Sequence, residues 1–433
     1  MTFPLTLIFM FLVFWRPQEW LLPWMYGWPV LDVIVYMAVV ALALEMSQKA
    51  STMPKTPAIG LAFGLFFASL MSHVAHGYFA GIMMTIPDTF KLCFFLTLIL
   101  LVVNSIERIQ AIVVVLMMGG IIMTVNGILQ IRTGAGFAGL EPLYFYYGPK
   151  DMWITQSQFF GIFGDPNDLG QYLVACIPLA FAITKRVRFV AFLMGAGLVW
   201  LMIEGLLTTN SRGAMMGSIG VGLSLLFLGL PVRWMPKLAV IALVGGLVAC
   251  AVFGPKMLDE SARDRVVFWG AANQYFKHNP IFGGGFGMFG EISGTNRAAH
   301  NAFVLCYTEL GLFGYWFWFN MMTLGFIGCW RTLGAFKKAR DEARTYLRRV
   351  SGLLIVTMAG FAVSAFFLSR AYIFPMFILF GLMNSVPLVA RRYLPDDHPL
   401  LIEWRRDVLL TGTGATLLSV MYIYVVILLL NRG

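Results

Sequence analysis

The chain of 433 residues is 59% hydrophobic and only 12% charged, with 31 Lys and Arg against 21 Asp and Glu. Soluble domains carry about twice that charged share, and a chain with this ratio could not cover its surface with polar side chains. A soluble enzyme, a nucleic-acid-binding protein and a disordered chain are excluded, so the net charge of +10 has to be read by side of a membrane.

Apolar stretches, all but the first long enough to cross a hydrocarbon core of about 30 Å, recur at 4–15, 29–45, 57–75, 87–103, 109–130, 167–183, 189–209, 213–230, 237–254, 301–328, 350–368, 371–389 and 408–430. They are apolar at odd and even positions alike, which rules out the alternating strands of a barrel. The expectation is an all-α polytopic membrane protein of twelve or thirteen helices, the first stretch being short, folded as one transmembrane domain over 1–433. The first stretch has no basic leader and reads as a retained span. The five cysteines lie in apolar runs without a C-x-x-C pattern and read as buried small hydrophobes.

One set of alternate loops collects most of the cations, from Lys49 and Lys55 through Lys185, Arg186 and Arg188 to Arg331–Arg349, Arg391, Arg392, Arg405 and Arg406. The positive-inside rule puts that set in the cytoplasm. The two longest segments between spans, 132–166 and 255–300, then face outward. So does the aromatic belt from Trp15 to Trp28. Long outer segments are where a binding or catalytic apparatus can be built.

Gly164-Asp165-Pro166-Asn167-Asp168 is turn chemistry followed by a helix start. A metal site at Asp165 and Asp168 lacks an evident third ligand. His73 and His76 have ligand-like spacing but no carboxylate nearby in sequence, so they read as structural. Glu204 and Glu309 lie within spans, where a carboxylate is costly and marks either function or pairing. Thr209-Asn210-Ser211-Arg212-Gly213 joins two spans almost without a loop. Arg212 thus sits at the outer membrane edge, either as an anion clamp or as a cation reaching for lipid headgroups.

Segment 255–300 is the most informative. Ser261 and Asp264 form a capping-box pattern, so a helix should start at Ser261 and stop near Pro280. Arg265, Trp269, Ala272 and Phe276 share one face of it. Gly285, Gly287 and Gly290 satisfy G-x-G-x-x-G, but the expected strand and helix on either side are missing, so this is a turn and no dinucleotide site. His300-Asn301 then opens the next span. A histidine at such a mouth either can titrate near neutrality and serve the chemistry or merely hydrogen-bonds a loop carbonyl. Arg370, between two outer span ends, is a further candidate clamp.

Ser211-Arg212-Gly213-Ala214, the run Arg265…Trp269…Pro280…Gly283–Gly287, and His300-Asn301…Glu309-Leu310-Gly311 together resemble the O-antigen ligase/polymerase superfamily. The N-terminal part, with Phe14-Trp15-Arg16-Pro17, looks like its O-glycosylation ligase subgroup. The resemblance implies a C-type glycosyltransferase architecture in a bacterial inner membrane with a periplasmic active site. It implies a donor glycan on undecaprenyl pyrophosphate and, for a ligase, a lipid A–core acceptor, with membrane lipids as surroundings and no nucleic acid. His300 would be the catalytic base, and Arg212 and Arg265 would bind the pyrophosphate. Asn301, Glu309, Arg370 and Asp168 are secondary candidates. No metal or cofactor is expected, because no Asp-x-Asp stands on the outer side and arginines can neutralise the donor. The alternatives are an O-antigen polymerase and a protein O-oligosaccharyltransferase. A lipid-linked saccharide transporter fits less well, because the candidate charges gather at one face and no internal repeat is visible.

Overall fold

A computed structural model describes residues 1–48, 53–147, 152–186, 188–230, 234–257, 260–294, 297–395 and 398–431. Its helices in chain order are α1 (Thr2–Trp15), α2 (Pro17–Trp20), α3 (Val30–Ser47), α4 (Ala58–Val74), α5 (Phe79–Val102), α6 (Ile106–Thr133), α7 (Pro166–Leu179) and α8 (Phe189–Thr208). They continue with α9 (Arg212–Leu228), α10 (Met235–Met257), α11 (Glu260–His278), α12 (Phe289–Ile292), α13 (Ala302–Ala335), α14 (Glu342–Ala365), α15 (Phe374–Ala390) and α16 (Thr413–Leu430). A π-helical turn, Trp404–Gly412, leads into α16.

Among the described residues, eight helical stretches are long and apolar enough to cross a membrane, and four shorter apolar ones accompany them. Each expected span falls on a helix, and the protein is an all-α polytopic membrane protein. Edges differ. α5 starts at Phe79, not at 87, because Pro87 is accommodated inside it. α14 starts at Glu342, capped by Asp341, ahead of the apolar stretch by two turns.

α13, α14, α15, α5 and α7 form the buried centre. Helices carry no hydrophobic drive to pair in lipid, so close packing of small residues matters. α9 and α14 meet this way. A Cβ on Gly217 would stand 3.0 Å from the Gly360 carbonyl, and one on Gly360 would stand 2.4 Å from Val221. Buried polar tips find carbonyls: Tyr172 donates to Leu116 (2.6 Å), Trp318 to Ala371 (2.9 Å) and Tyr346 to Ala182 (2.9 Å).

The loops sort to two ends. At one, Arg331 holds Asp407 through two bonds (2.6 and 2.8 Å), Lys185 pairs with Glu107, and Arg186 pairs with Glu342. At the other lie the α1–α3, α7 and α11–α13 connections. There segment 132–166 carries an antiparallel hairpin, β1 (Leu143–Tyr147) on β2 (Met152–Gln156), which the sequence did not announce. Gln156 donates to the Thr209 carbonyl (3.0 Å) and Asn210 to the Thr155 carbonyl (2.7 Å), tying the hairpin to the α8–α9 turn.

Candidate active site

α11 presents Val266, Trp269, Ala272 and Phe276 inward, all buried, as its spacing requires. Phe276 packs on Tyr307 at 4.9 Å between centroids. Tyr307 donates to Asn273 (2.7 Å), and Asn273 donates to the Tyr424 carbonyl (3.2 Å). The Trp269 indole donates to the Ala299 carbonyl at 2.6 Å. That bond fixes the residue directly before His300. Arg265 lies one turn ahead of Trp269 on the same face and is partly exposed. α11 starts near the expected residue, and the Ser261 hydroxyl lies outside the described side chains.

The glycine-rich run packs backbone to backbone on an interruption in α13. Gly311 stands at φ 64°, ψ −169°, a region open essentially to glycine alone. The interruption releases backbone groups that the preceding loop takes up. Leu312 and Phe313 donate to the Pro280 and Ile281 carbonyls (2.8 and 3.0 Å), while Gly284 and Gly285 donate to Thr308 and Glu309 (both 2.9 Å). A Cβ on Gly283 would lie 2.5 Å from the Glu309 backbone. The glycines therefore serve close approach. The Glu309 side chain is 2% exposed and accepts from the Phe289 amide (3.2 Å). It latches the loop from beneath.

His300 stands at φ 48°, uncommon for a side-chain-bearing residue. Its amide donates to the Ser369 hydroxyl at 2.5 Å, and the next residue, Asn301, caps α13 by accepting from Phe303 and Val304 (3.0 and 3.1 Å). Burial holds the His300 imidazole below its ordinary value of 6.5; Arg265 adds to this, as do Arg370 and Arg297, while Asp165 opposes it. These influences favour the neutral ring, the form able to accept a proton.

Arg370 is itself held. Its Nε donates to Asp168 (2.6 Å), and its terminal nitrogen lies 3.7 Å from Asp165. Burial works against its charge, but these two carboxylates more than offset that and raise its affinity for the proton. Asp165 also caps α7 through the Asn167 amide (2.8 Å). Both acids thus serve the arginine and the helix start. Asn167 accepts from Ser211 at 2.7 Å, which links this cluster to the turn bearing Arg212. Arg212 is exposed and lines a cavity of about 470 Å³ with Trp153, Thr155, Leu207 and Asn210. The structure thus gathers Arg265, Arg370, Arg297 and Asp165 around His300, with Arg212 beyond the Asn167–Ser211 contact, facing the hairpin.

Arg297, Ser369 and the hairpin were not singled out from sequence. Arg297, three residues before His300 and 3.9 Å from Asp264, could have been found by its spacing. The others meet the site only through the fold. Glu204 is half-buried on α8. His73 contacts Thr85 (2.9 Å) and His76 the Gly283 carbonyl (2.6 Å). Among the described residues no three His, Cys, Asp or Glu side chains group as a metal-ligand set.

The fold and site define a polytopic membrane protein with its ionisable cluster at one end of the bundle. Residues 197–319 match the family model described as O-antigen ligase, so this stretch of the chain is similar to the O-antigen ligase superfamily. The matched stretch contains Arg212, Arg265, His300, Glu309 and Gly311 but not Asp165, Asp168 or Arg370. No curated protein matches the chain.

Proposed function

We propose that the protein is an O-antigen ligase. It transfers a glycan from undecaprenyl pyrophosphate to a hydroxyl of lipid A–core, on the periplasmic face of a bacterial inner membrane. The observation that carries this reading is a half-buried histidine acted on by Arg265, Arg370 and Arg297, within the family-matched stretch. The acceptor hydroxyl attacks the anomeric carbon. A C–O bond forms, the bond to the pyrophosphate breaks, and the hydroxyl proton passes to His300. Direct displacement inverts the anomeric centre. Charge grows on the departing pyrophosphate, and preorganised guanidiniums stabilise it more in the transition state than before it. Arg265 and Arg212 take that role, with no metal required. Arg370, bound to two carboxylates, positions the site. The cationic loops at the opposite end then face the cytoplasm, and segments 132–166 and 255–300 are the periplasmic parts of a single transmembrane domain.

The test is transfer with purified lipid-linked glycan and lipid A–core. His300→Ala should lower turnover by about 10²–10⁴-fold, whereas Arg212→Ala and Arg265→Ala should weaken donor use. Full transfer by His300→Ala would refute the base assignment. Failure of the wild type with lipid A–core, together with activity on a growing lipid-linked chain or a pilin, would turn the reading to a polymerase or a protein oligosaccharyltransferase.

A further inference from the structure

A second polar site lies away from His300. α1, α3 and α5 enclose a half-open cleft of about 520 Å³. Its lower wall is apolar, with Phe9, Val13 and Val35; its upper rim holds Tyr26 and Trp28. Lys91 of α5 bridges to Asp32 of α3 at 3.0 Å, and Arg16 bonds Glu19 at 2.6 Å. Asp88 lies one turn before Lys91 and faces the same cleft. Among the described residues it has no hydrogen-bond or ion-pair partner. Gln18 also lines the cleft. It is 7% exposed, and its Oε1 has no donor. The Asp88 carboxylate is thus the lining acceptor left open to a ligand.

The missing group can be described. It must donate hydrogen bonds to the exposed Asp88 carboxylate. It must also bring an anion near Lys91 and Arg16, each of which is bound to a carboxylate on one side only. Three acidic side chains against two basic ones leave the cleft negative, which disfavours a purely anionic ligand. Height narrows the choice further. Asp32 is in the first turn of α3, directly after the aromatic residues Trp24–Trp28, and such belts mark the headgroup level. The apolar wall beneath suits acyl chains. α3 itself is mostly unburied, so a molecule lodged between it and α5 would add contacts that the protein lacks.

We propose that this cleft binds the headgroup of an aminophospholipid. The primary ammonium rests on Asp88, the phosphate turns toward Lys91 and Arg16, and the acyl chains follow Val13 and Val35. This site is independent of the donor and acceptor of the transfer reaction. Its ligand would be a resident lipid that fastens α3 to the body.

Native mass spectrometry of the full-length protein tests this, after exposure to vesicles of equal parts dioleoyl-phosphatidylethanolamine, -phosphatidylcholine and -phosphatidylglycerol. The wild type should retain one phosphatidylethanolamine, favoured about tenfold over the other two. Phosphatidylcholine has no N–H to give, and phosphatidylglycerol has no cation. Asp88→Asn should remove that preference. Asp88→Lys should reverse it toward phosphatidylglycerol, a gain that a misfolded protein would not show. Asp88 is exposed, so both variants should melt with the wild type. Equal retention of the three lipids, or an unchanged preference in Asp88→Lys, would overturn the proposal. So would displacement of the lipid by free glycerophosphoethanolamine at equal concentration, because the acyl chains would then contribute nothing.

Discussion

Gly311→Ala tests how the glycine-rich loop is held. The residue sits at φ 64°, ψ −169°, where a side chain costs about 1–3 kcal/mol in backbone strain alone. The added Cβ would lie 2.1 Å from the Ile281 carbonyl oxygen and 2.6 Å from the Gly283 nitrogen. These are backbone atoms and cannot swing aside as a side-chain tip can. Relief requires the loop to withdraw, which breaks the bonds from Leu312 to Pro280 and from Phe313 to Ile281, each worth about 0.5–1.5 kcal/mol. The expected loss is about 2–6 kcal/mol. At about 2 °C per kcal/mol for a long chain, the detergent-purified protein should melt roughly 4–12 °C lower. Loop 280–290 should also become cleavable by protease. Gly197→Ala is the control: nothing lies within 4 Å of its Cβ, and alanine favours a helix by up to about 1 kcal/mol. If Gly311→Ala melted with Gly197→Ala, and the loop stayed resistant, the backbone-to-backbone packing would not be what fixes the loop.

The pH profile of transfer should follow the charges around His300. The imidazole is held below 6.5, so kcat/KM should stay level through neutrality and fall only on the acid side of that value. Arg265→Gln removes a group that lowers it and should move the acid limb up toward 6.5; Asp165→Asn removes the opposing carboxylate and should move it down. Shifts in the same direction would contradict the arrangement. Trp269→Phe keeps the ring but loses the donor to Ala299. It should cost about 1–3 kcal/mol of stability and lower kcat, as measured by thermal melting and by transfer rate; a wild-type rate would show that this bond does not position His300. At the opposite end, Asp407→Asn should destabilise by about 3 kcal/mol or more without moving the pH profile. Asp407 is 1% exposed and accepts two bonds from Arg331. An unchanged melting temperature would refute that estimate.

What was legible in the sequence follows from the range of each signal. Spans are written locally in hydropathy, so each appeared, with edges off where Pro87 and Asp341 act. The inward face of α11 was legible because Trp269, Ala272 and Phe276 repeat at helical spacing. The interruption at Gly311 was not, since an isolated glycine inside an apolar run does not announce a break. Its cause is the loop near Ile281, about thirty residues earlier. The hairpin escaped for a similar reason. Leu143–Tyr147 is aromatic at alternate and adjacent positions alike, and its anchors, Thr209 and Asn210, lie some fifty residues away. Arg370 was visible as a candidate clamp, but its partner Asp168 stands 202 positions away. Pairing of that kind decides whether a guanidinium is available to a ligand or committed to the fold.

Backbone strain supplies a separate argument for where the chemistry lies. Among the described residues, the non-glycine positions with positive φ are Arg16, Ala138, Asn210 and His300. All four belong to the same end of the bundle, and the described residues of the cationic end have none. Each conformation costs of order 1–3 kcal/mol and persists only where its surroundings over-determine it. Those surroundings are present. Asn210 is tied to Thr155 in β2, His300 to Ser369, and Arg16 to Glu19. Two of the four stand at or beside residues proposed for the reaction: His300 itself, and Asn210 two positions before Arg212. The fold therefore concentrates its strained backbone where an imidazole and guanidiniums must be held at fixed angles to a substrate.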